Sequence, residues 1–470
     1  MSQHSTQSKL SSLWRNFLIA VKGTEKNFTS GSINRAIFML SVPMVLEMIM
    51  ESLFAIVDIY FVGKVSVNAV ATVALTESII MLVFAIAIGL SMSATAMVAR
   101  RIGEEKPEEA SHAAGQAIIL SVAISLVFSL AGVFFAQDIL RLMGAESELI
   151  SEGYRYTAIM LGGNATIMLI FLINAVFRGA GDASIAMHSL WIANILNMIL
   201  DPIFIFGLGP IPAFGVEGAA IATTIGRGTG VLYQLYALSS AKSVIRLKLS
   251  HLKPNLVLMG KLIMVSLGGI GQYVIGTMSW LFIIRISAIF GSGVLAGYQV
   301  AFRIIMFTIL PSWGMSNAAA TLVGQNLGAK QPERAEESVW KCAFLNMVFL
   351  AIIAVVFIAW AEYFVMFFSP DAEVVKYGAM GLRYISFGYI AFAYGMVISQ
   401  AFNGAGDTGT PTWINFVSLW LLGIPLTYWM GVTLDMGPKG IFIAIAIMDT
   451  VLAAISIIIF RRGRWKTVQV

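Results

Sequence analysis

The sequence predicts an all-α polytopic membrane protein with twelve transmembrane helices in two pseudo-symmetric six-helix bundles. Three observations carry that prediction: an extreme apolar composition, a regular alternation of long apolar runs with short breaks, and an internal duplication at constant offset. Of the 470 residues, 58% are hydrophobic and 12% charged, and the mean hydropathy is +0.84. Soluble globular domains hold about 45–50% apolar and about 25% charged residues, so a cytosolic enzyme is excluded. With about twenty apolar residues per span, a chain of this length holds roughly a dozen spans and almost nothing else.

Residues 1–32 form a polar, basic tail whose only apolar run, Phe17 to Val21, is too short for a signal-peptide core; the N-terminus is therefore expected to stay in the cytoplasm. Apolar length and flanking Gly, Pro and charged residues then place six spans near 34–62, 69–99, 113–136, 153–177, 185–208 and 216–239. A basic cytoplasmic linker, 241–261, follows. Six more spans lie near 262–290, 294–325, 340–368, 377–402, 411–434 and 438–460, before a short tail at 462–470. The expected units are thus an N-terminal bundle over 33–240 and a C-terminal bundle over 262–461. Several spans exceed twenty residues, as tilted helices do.

Lys and Arg test this list, because a missed span would scramble their sidedness. Of the 30, 21 fall on the side that holds both termini and the linker, five on the other side, and four (Arg227, Arg285, Arg303, Arg383) within spans. The positive-inside rule therefore puts both termini in the cytoplasm of a multi-pass cell-membrane (inner or plasma membrane) protein. The sequence pI near 9.2 reflects that orientation rather than a nucleic-acid partner. A single cysteine, Cys342, excludes an intramolecular disulfide and a thiolate metal cluster. The histidines, His4, His112, His188 and His251, are scattered, and no cofactor is expected.

The duplication is legible residue by residue. Gly89, Gly103, Pro107, Ala110, Phe177, Gly179, Ala180, Gly181 and Asp182 recur 225 positions later as Gly314, Gly328, Pro332, Ala335, Phe402, Gly404, Ala405, Gly406 and Asp407. One offset spans two separate loops. Because six spans is an even number, the second copy enters from the same side as the first. This makes a parallel repeat about an axis along the membrane normal, an arrangement that encloses a site between its halves and favours alternating access.

Charges inside spans are expensive and usually functional. Glu47, Glu51 and Asp58 of the first span fall within about 40° of one another on a helix, making one acidic stripe. The plainer reading of Glu47 and Glu51 is a structural ion pair with Arg285 or Arg303. Asn197 and Asp201 lie one turn apart in NILNMILDPIFIFG, and Pro202 frees the carbonyl of Met198. Carboxylate, amide and carbonyl oxygens in one turn are the hard ligands that Na⁺ takes, by analogy with other hard cations; packing glue at a kink is the alternative. Thr223 would add a hydroxyl, or simply serve a close helix contact.

The second half differs. From Gly218 to Pro332 there is no Asp or Glu, although Arg285 and Arg303 lie within spans, and the only deep acid is Asp449. Coupling chemistry is therefore expected in the N-terminal bundle, with Glu47, Glu51, Arg285 and Arg303 as further cavity charges. Twenty-five Met with 30 Phe, 13 Tyr and 10 Trp suit an adaptable apolar cavity. No GxxxxGK[ST] phosphate loop is present, so transport would draw on ion gradients.

These residues resemble the multidrug and toxic compound extrusion (MATE) family over about Asn34 to Arg461. The resemblance rests on SVPMVLEMIMESLFAIVDIYFVG, the duplicated helix exits, the paired GAGD loops, and NMILDPIFIFG with GVEGAAIAT. It implies two bundles forming a V around a central cavity, and export of amphipathic, often cationic compounds and other xenobiotics in exchange for H⁺ or Na⁺. It assigns Asp58 and Asp201 as coupling carboxylates, Asn197 and Thr223 to the same pocket, and Tyr156 and Asn174 to the surrounding network. Pro43 matches the family's first-helix proline, whose bending is proposed to accompany protonation. The NorM-like branch carries acids in the seventh and tenth spans; their lack here points to the DinF-like branch.

The expected mechanism is antiport. Asp58 and Asp201, close together in low dielectric, share a proton or hold Na⁺ (with Asn197 and Thr223) in one state and release it in the other. Carboxylates and amides serve both ions, so the coupling ion is H⁺ or Na⁺. A flippase for a lipid-linked substrate, with Arg285 and Arg303 facing phosphates, is the alternative within the superfamily. An intramembrane enzyme would need a motif beside Asp58 and Asp201 that the sequence lacks. Expected partners are small amphipathic organic compounds and the bilayer, with no nucleic acid, and the chain is expected to be a monomer.

Overall fold

A computed structural model describes residues 14–23, 28–240 and 243–470. Parts of the expected N-terminal tail and of the linker, including His4, lie outside the described residues. Among the described residues there is no β-strand, only a bridge between Leu208 and Ile211. The first half comprises α1 (Ile33–Val62), α2 (Val67–Gly103), α3 (Pro107–Leu142), α4 (Ser147–Gly162), α5 (Asn164–Gly179), α6 (Ala183–Phe206) and α7 (Val216–Ser239). The second comprises α8 (Leu256–Ala288), α9 (Ser292–Gly328), α10 (Pro332–Phe368), α11 (Ala372–Ser386), α12 (Tyr389–Ala405), α13 (Gly409–Asn415) and, after a stretch continuous with α13, α14 (Gly437–Arg461).

Ten stretches, among them 147–179 and 409–433 as single units, are long and apolar enough to cross a membrane; the bent pair α11–α12 makes eleven. The twelfth, α7, is 24 residues long but diluted by Glu217, Arg227 and Gln234. The twelve-helix, two-bundle fold holds, and the departures from expectation are local. α2, α3, α9 and α10 reach 36–37 residues because their end turns, charged in α2, α3 and α10 and polar in α9, stay helical beyond the apolar window. The fourth span divides at Gly163. There Asn164 Nδ2 donates to the carbonyls of Leu161 (2.5 Å) and Ser125 (3.1 Å), and Ser129 Oγ to that of Gly162 (2.8 Å), so carbonyls freed by the break find donors. The tenth bends by 61° before Tyr389. Residues 416–423 and 429–433 of the eleventh are π-helical. Window-averaged hydropathy is blind to all three.

The duplication extends to backbone detail. Phe135 and Trp360 kink α3 and α10 with φ −121° in both, and Glu105 (φ 61°) and Lys330 (φ 59°) occupy the left-handed position in matching helix–helix turns. Each of these pairs is separated by the same 225 residues. Contacts between the halves are reciprocal as well. A Cβ on Gly103 would run into the Gln325 backbone, and one on Gly328 into the Arg100 backbone; Gly89 abuts Ile270 and Gly314 abuts Val45. Adding 225 to one member of each pair gives the partner of the other, which is the signature of a two-fold relation.

These close approaches occupy the half of the helices nearest one end of the molecule, where both described chain ends also lie. Arg334 donates to the carbonyls of Phe28, Ser30 and Gly31, and Arg100 Nη2 to that of Val468 (2.8 Å). A core joins residues 33–44 of α1 to residues 318–327 of α9. Towards the other end the halves part. Leu53, Ile56 and Ile59 of α1 are exposed, and among the described residues no hydrogen bond joins residues 50–85 to residues 273–310. Replacing Gly103 by Val is expected to destabilise the protein by about 1–3 kcal/mol through overpacking against Gln325, read as a lowered unfolding midpoint in detergent.

Candidate functional site

The second half of α1, with α2, α4, α6 and α7, encloses a polar cluster in the N-terminal half. Its centre is set by a close helix crossing: a Cβ on Gly226 of α7 would lie 2.6 Å from the Ala193 carbonyl and 3.0 Å from Asn197 Cβ on α6. That proximity brings Thr223, one turn earlier, beside Asn197. Asn197 Nδ2 donates to Asp201 Oδ1 (3.3 Å) and Thr223 Oγ1 (3.0 Å). All three residues are buried. Asn197 Oδ1 and Asp201 Oδ2 have no partner among the described residues, and Pro202 withholds the N–H that would satisfy the Met198 carbonyl. An all-oxygen donor set with two orphaned atoms suits a proton or a small hard cation.

Asp58, half-buried on α1, interacts electrostatically with Asp201, and both act on the buried Tyr156. Sequence reasoning missed Glu77 on α2, which joins this group through Asp58 and Tyr156. Its signal was present: an ionisable residue inside an otherwise apolar run. Arg227 acts electrostatically on Asp58, but it is paired with Glu51.

Glu47 and Glu51 belong to two separate buried ion pairs, and their partners are not Arg285 and Arg303. Arg178 Nη1 lies 2.7 Å from Glu47 Oε1, and Arg227 Nη2 lies 3.2 Å from Glu51 Oε1. Asn194 also donates to Glu51 (2.9 Å). Asn174 falls in the Glu47 network rather than beside Asp201. It donates to Glu47 Oε1 (2.9 Å) and accepts from Ser189 (2.8 Å) and Gln234 (2.6 Å). The acidic stripe is thus split by depth, with two glutamates compensated within the bundle and Asp58 left without an ion pair among the described residues. Pro43 sits buried within α1, which stays helical through it.

Between the halves, where the close contacts end, lies a crevice lined by Met48, Met92 and Arg178 from the first half and Trp313, Asn317 and Gln400 from the second. Arg285 and Arg303 are exposed on α8 and α9. In the second half, Asp449 lies mid-way along α14 and acts on Tyr298 and Tyr389.

A duplicated helical bundle in a membrane, cleft between its halves and with uncompensated carboxylates in one wall, is the construction of a multi-pass transport protein. The family model described as MatE matches residues 43–203 and 266–429, and the chain belongs to that family. It is 23% identical to the "Probable multidrug resistance protein NorM" of Thermotoga maritima, over 92% of this chain and 93% of that one. It is equally 23% identical to a "FAD transporter" of Shewanella oneidensis, over 90% and 93%. A solved structure described as the outward-facing conformation of a multidrug resistance MATE family transporter superimposes with TM-score 0.86 at 25% identity, covering 93% of this chain and 96% of that one.

Proposed function

We propose that this chain is a secondary active exporter of amphipathic organic compounds, driven by inward movement of H⁺ or Na⁺ through alternating access, with both termini cytoplasmic. The observation that carries this is the Asn197–Asp201–Thr223 cluster, whose two orphaned oxygens lie within electrostatic reach of Asp58. Two carboxylates so placed are held together cheaply only with a proton or a cation between them. Loading and unloading that ion would bias the two arrangements of the halves. One charge moving across 100 mV supplies about 2.3 kcal/mol, enough to shift a two-state equilibrium roughly fiftyfold. Names of relatives that include multidrug resistance support the substrate class.

The test is efflux of a fluorescent amphiphile from liposomes containing the purified protein, with either a pH gradient or a Na⁺ gradient imposed and never both. Efflux in response to one gradient alone is the expected outcome and identifies the coupling ion. Efflux indifferent to both would overturn antiport.

A further inference from the structure

Beyond export itself, we propose that the cleft selects flat aromatic compounds that carry an anionic group, with Arg303 as the anion-binding residue and the crevice around Trp313 as the ring site. This deepens the export reading by naming its substrate class. In the first half Glu47 and Glu51 are neutralised by arginines, and Asp58 and Asp201, with Glu77 acting on Asp58, are assigned to the coupling ion. What remains for a substrate is the crevice and the wall formed by α9.

Gln299, Arg303, Met306, Leu310, Trp313 and Asn317 recur at alternating spacings of four and three, so they form one face of α9. Each is exposed or half-buried. The direction of that face is fixed by Gly314, which abuts Met44 of α1. Arg303 lies within about 20° of Gly314 in helical rotation and roughly 16 Å further from the closed end. It therefore points towards the first half at a level where the halves have parted, into water rather than lipid. α1 and α9 run antiparallel, and Asp58 lies roughly 21 Å beyond Met44, so the opposed charges differ in depth by about 5 Å. Arg303 nevertheless has no ion pair among the described residues, whereas Arg383 pairs with Glu362. No Asp or Glu occurs from Gly218 to Pro332, so α8 and α9 themselves supply no counter-charge; the deep acid of the second half, Asp449, acts on Tyr298 and Tyr389.

The crevice complements it. Among the described residues, none that lines it is acidic. Arg178 keeps N–H groups beyond the Nη1 held by Glu47. Gln400 Oε1 accepts from Asn403 (3.2 Å), which leaves its amide N–H groups for a ligand. Met48, Met92, Phe171 and Trp313 supply apolar and aromatic surface. Hydrogen-bond donors around a ring slot recognise acceptor-rich aromatic systems, and no carboxylate among the described residues lines the slot to neutralise a cation.

The test compares two xanthene dyes of matched ring system, anionic fluorescein and cationic rhodamine 123, by equilibrium fluorescence anisotropy with the full chain in phosphatidylcholine liposomes and no gradient. Fluorescein is expected to bind about tenfold more tightly. Arg303→Gln should weaken fluorescein about tenfold, the size of one hydrogen bond to a charged group, and leave rhodamine 123 unchanged, while Arg303→Lys retains most of the preference. Equal or tighter binding of rhodamine 123, an equal loss of both dyes in Arg303→Gln, or binding of neither overturns the proposal. Adding phosphatidylglycerol separates soluble acids from lipid head groups. Unchanged dye binding supports the proposal, and displacement of fluorescein reassigns the site to lipid. Because no gradient is present, anion binding with no gradient-driven efflux would refute antiport alone.

Discussion

Replacing Asp201 by Asn is expected to reduce gradient-driven export to the level of protein-free liposomes while leaving the amount of protein in the membrane unchanged. The substitution keeps side-chain size and an oxygen for the Asn197 amide (3.3 Å in the parent). It removes the charge and replaces the orphaned Oδ2 with a group that neither binds a cation nor accepts a proton at working pH. The rest of the cluster, including Thr223 and Tyr156, is untouched, so binding of substrate in the absence of a gradient should persist. Gradient-driven efflux at the parent rate would remove Asp201 from the mechanism.

Glu47→Gln should be the most damaging single change to stability, lowering it by about 3–5 kcal/mol, because Arg178 would then hold a charge among buried neighbours with nothing to compensate it. Asn174 still finds an acceptor in the glutamine, so the loss isolates the charge. The double variant Glu47→Met with Arg178→Met is expected to recover most of the loss, since removing both members of a buried pair is often nearly neutral. Thermal unfolding in detergent reads both. An unfolding midpoint for Glu47→Gln equal to the parent's would show that water reaches Arg178 well enough to solvate it.

Span number, the duplication and the side of the molecule shared by both chain ends were legible because they depend on sums over many residues. The Asn197–Asp201 pairing was legible because four residues is one helical turn. What failed depended on which helix packs against which. Glu47 lies on the same helix face as Asp58, yet α5 reaches α1 at its level and supplies both Arg178 and Asn174. Arg285 and Arg303 were equally plausible partners by sequence because depth alone does not say which half a side chain faces. Asn174 was drawn to the wrong cluster by resemblance alone. The breaks at Gly163 and before Tyr389 escaped because the flanking residues are apolar enough to carry a window across them.

The glycine-mediated approaches between the halves run from Gly103 and Gly328, at one end of helices 37 residues long, to Gly89 and Gly314 fourteen residues inward. Such a helix extends roughly 55 Å, with roughly 33 Å of it beyond Gly89 or Gly314, so a rotation of about 10° around those contacts moves its far tip by roughly 6 Å, about half the diameter of a helix. The contacts thus act as a fulcrum placed off-centre: small slips between glycine surfaces, involving little repacking, become large changes in aperture at the distant mouth. A bulky residue on the exposed face of the long arm would be tolerated far better than a single methyl group at the bearing.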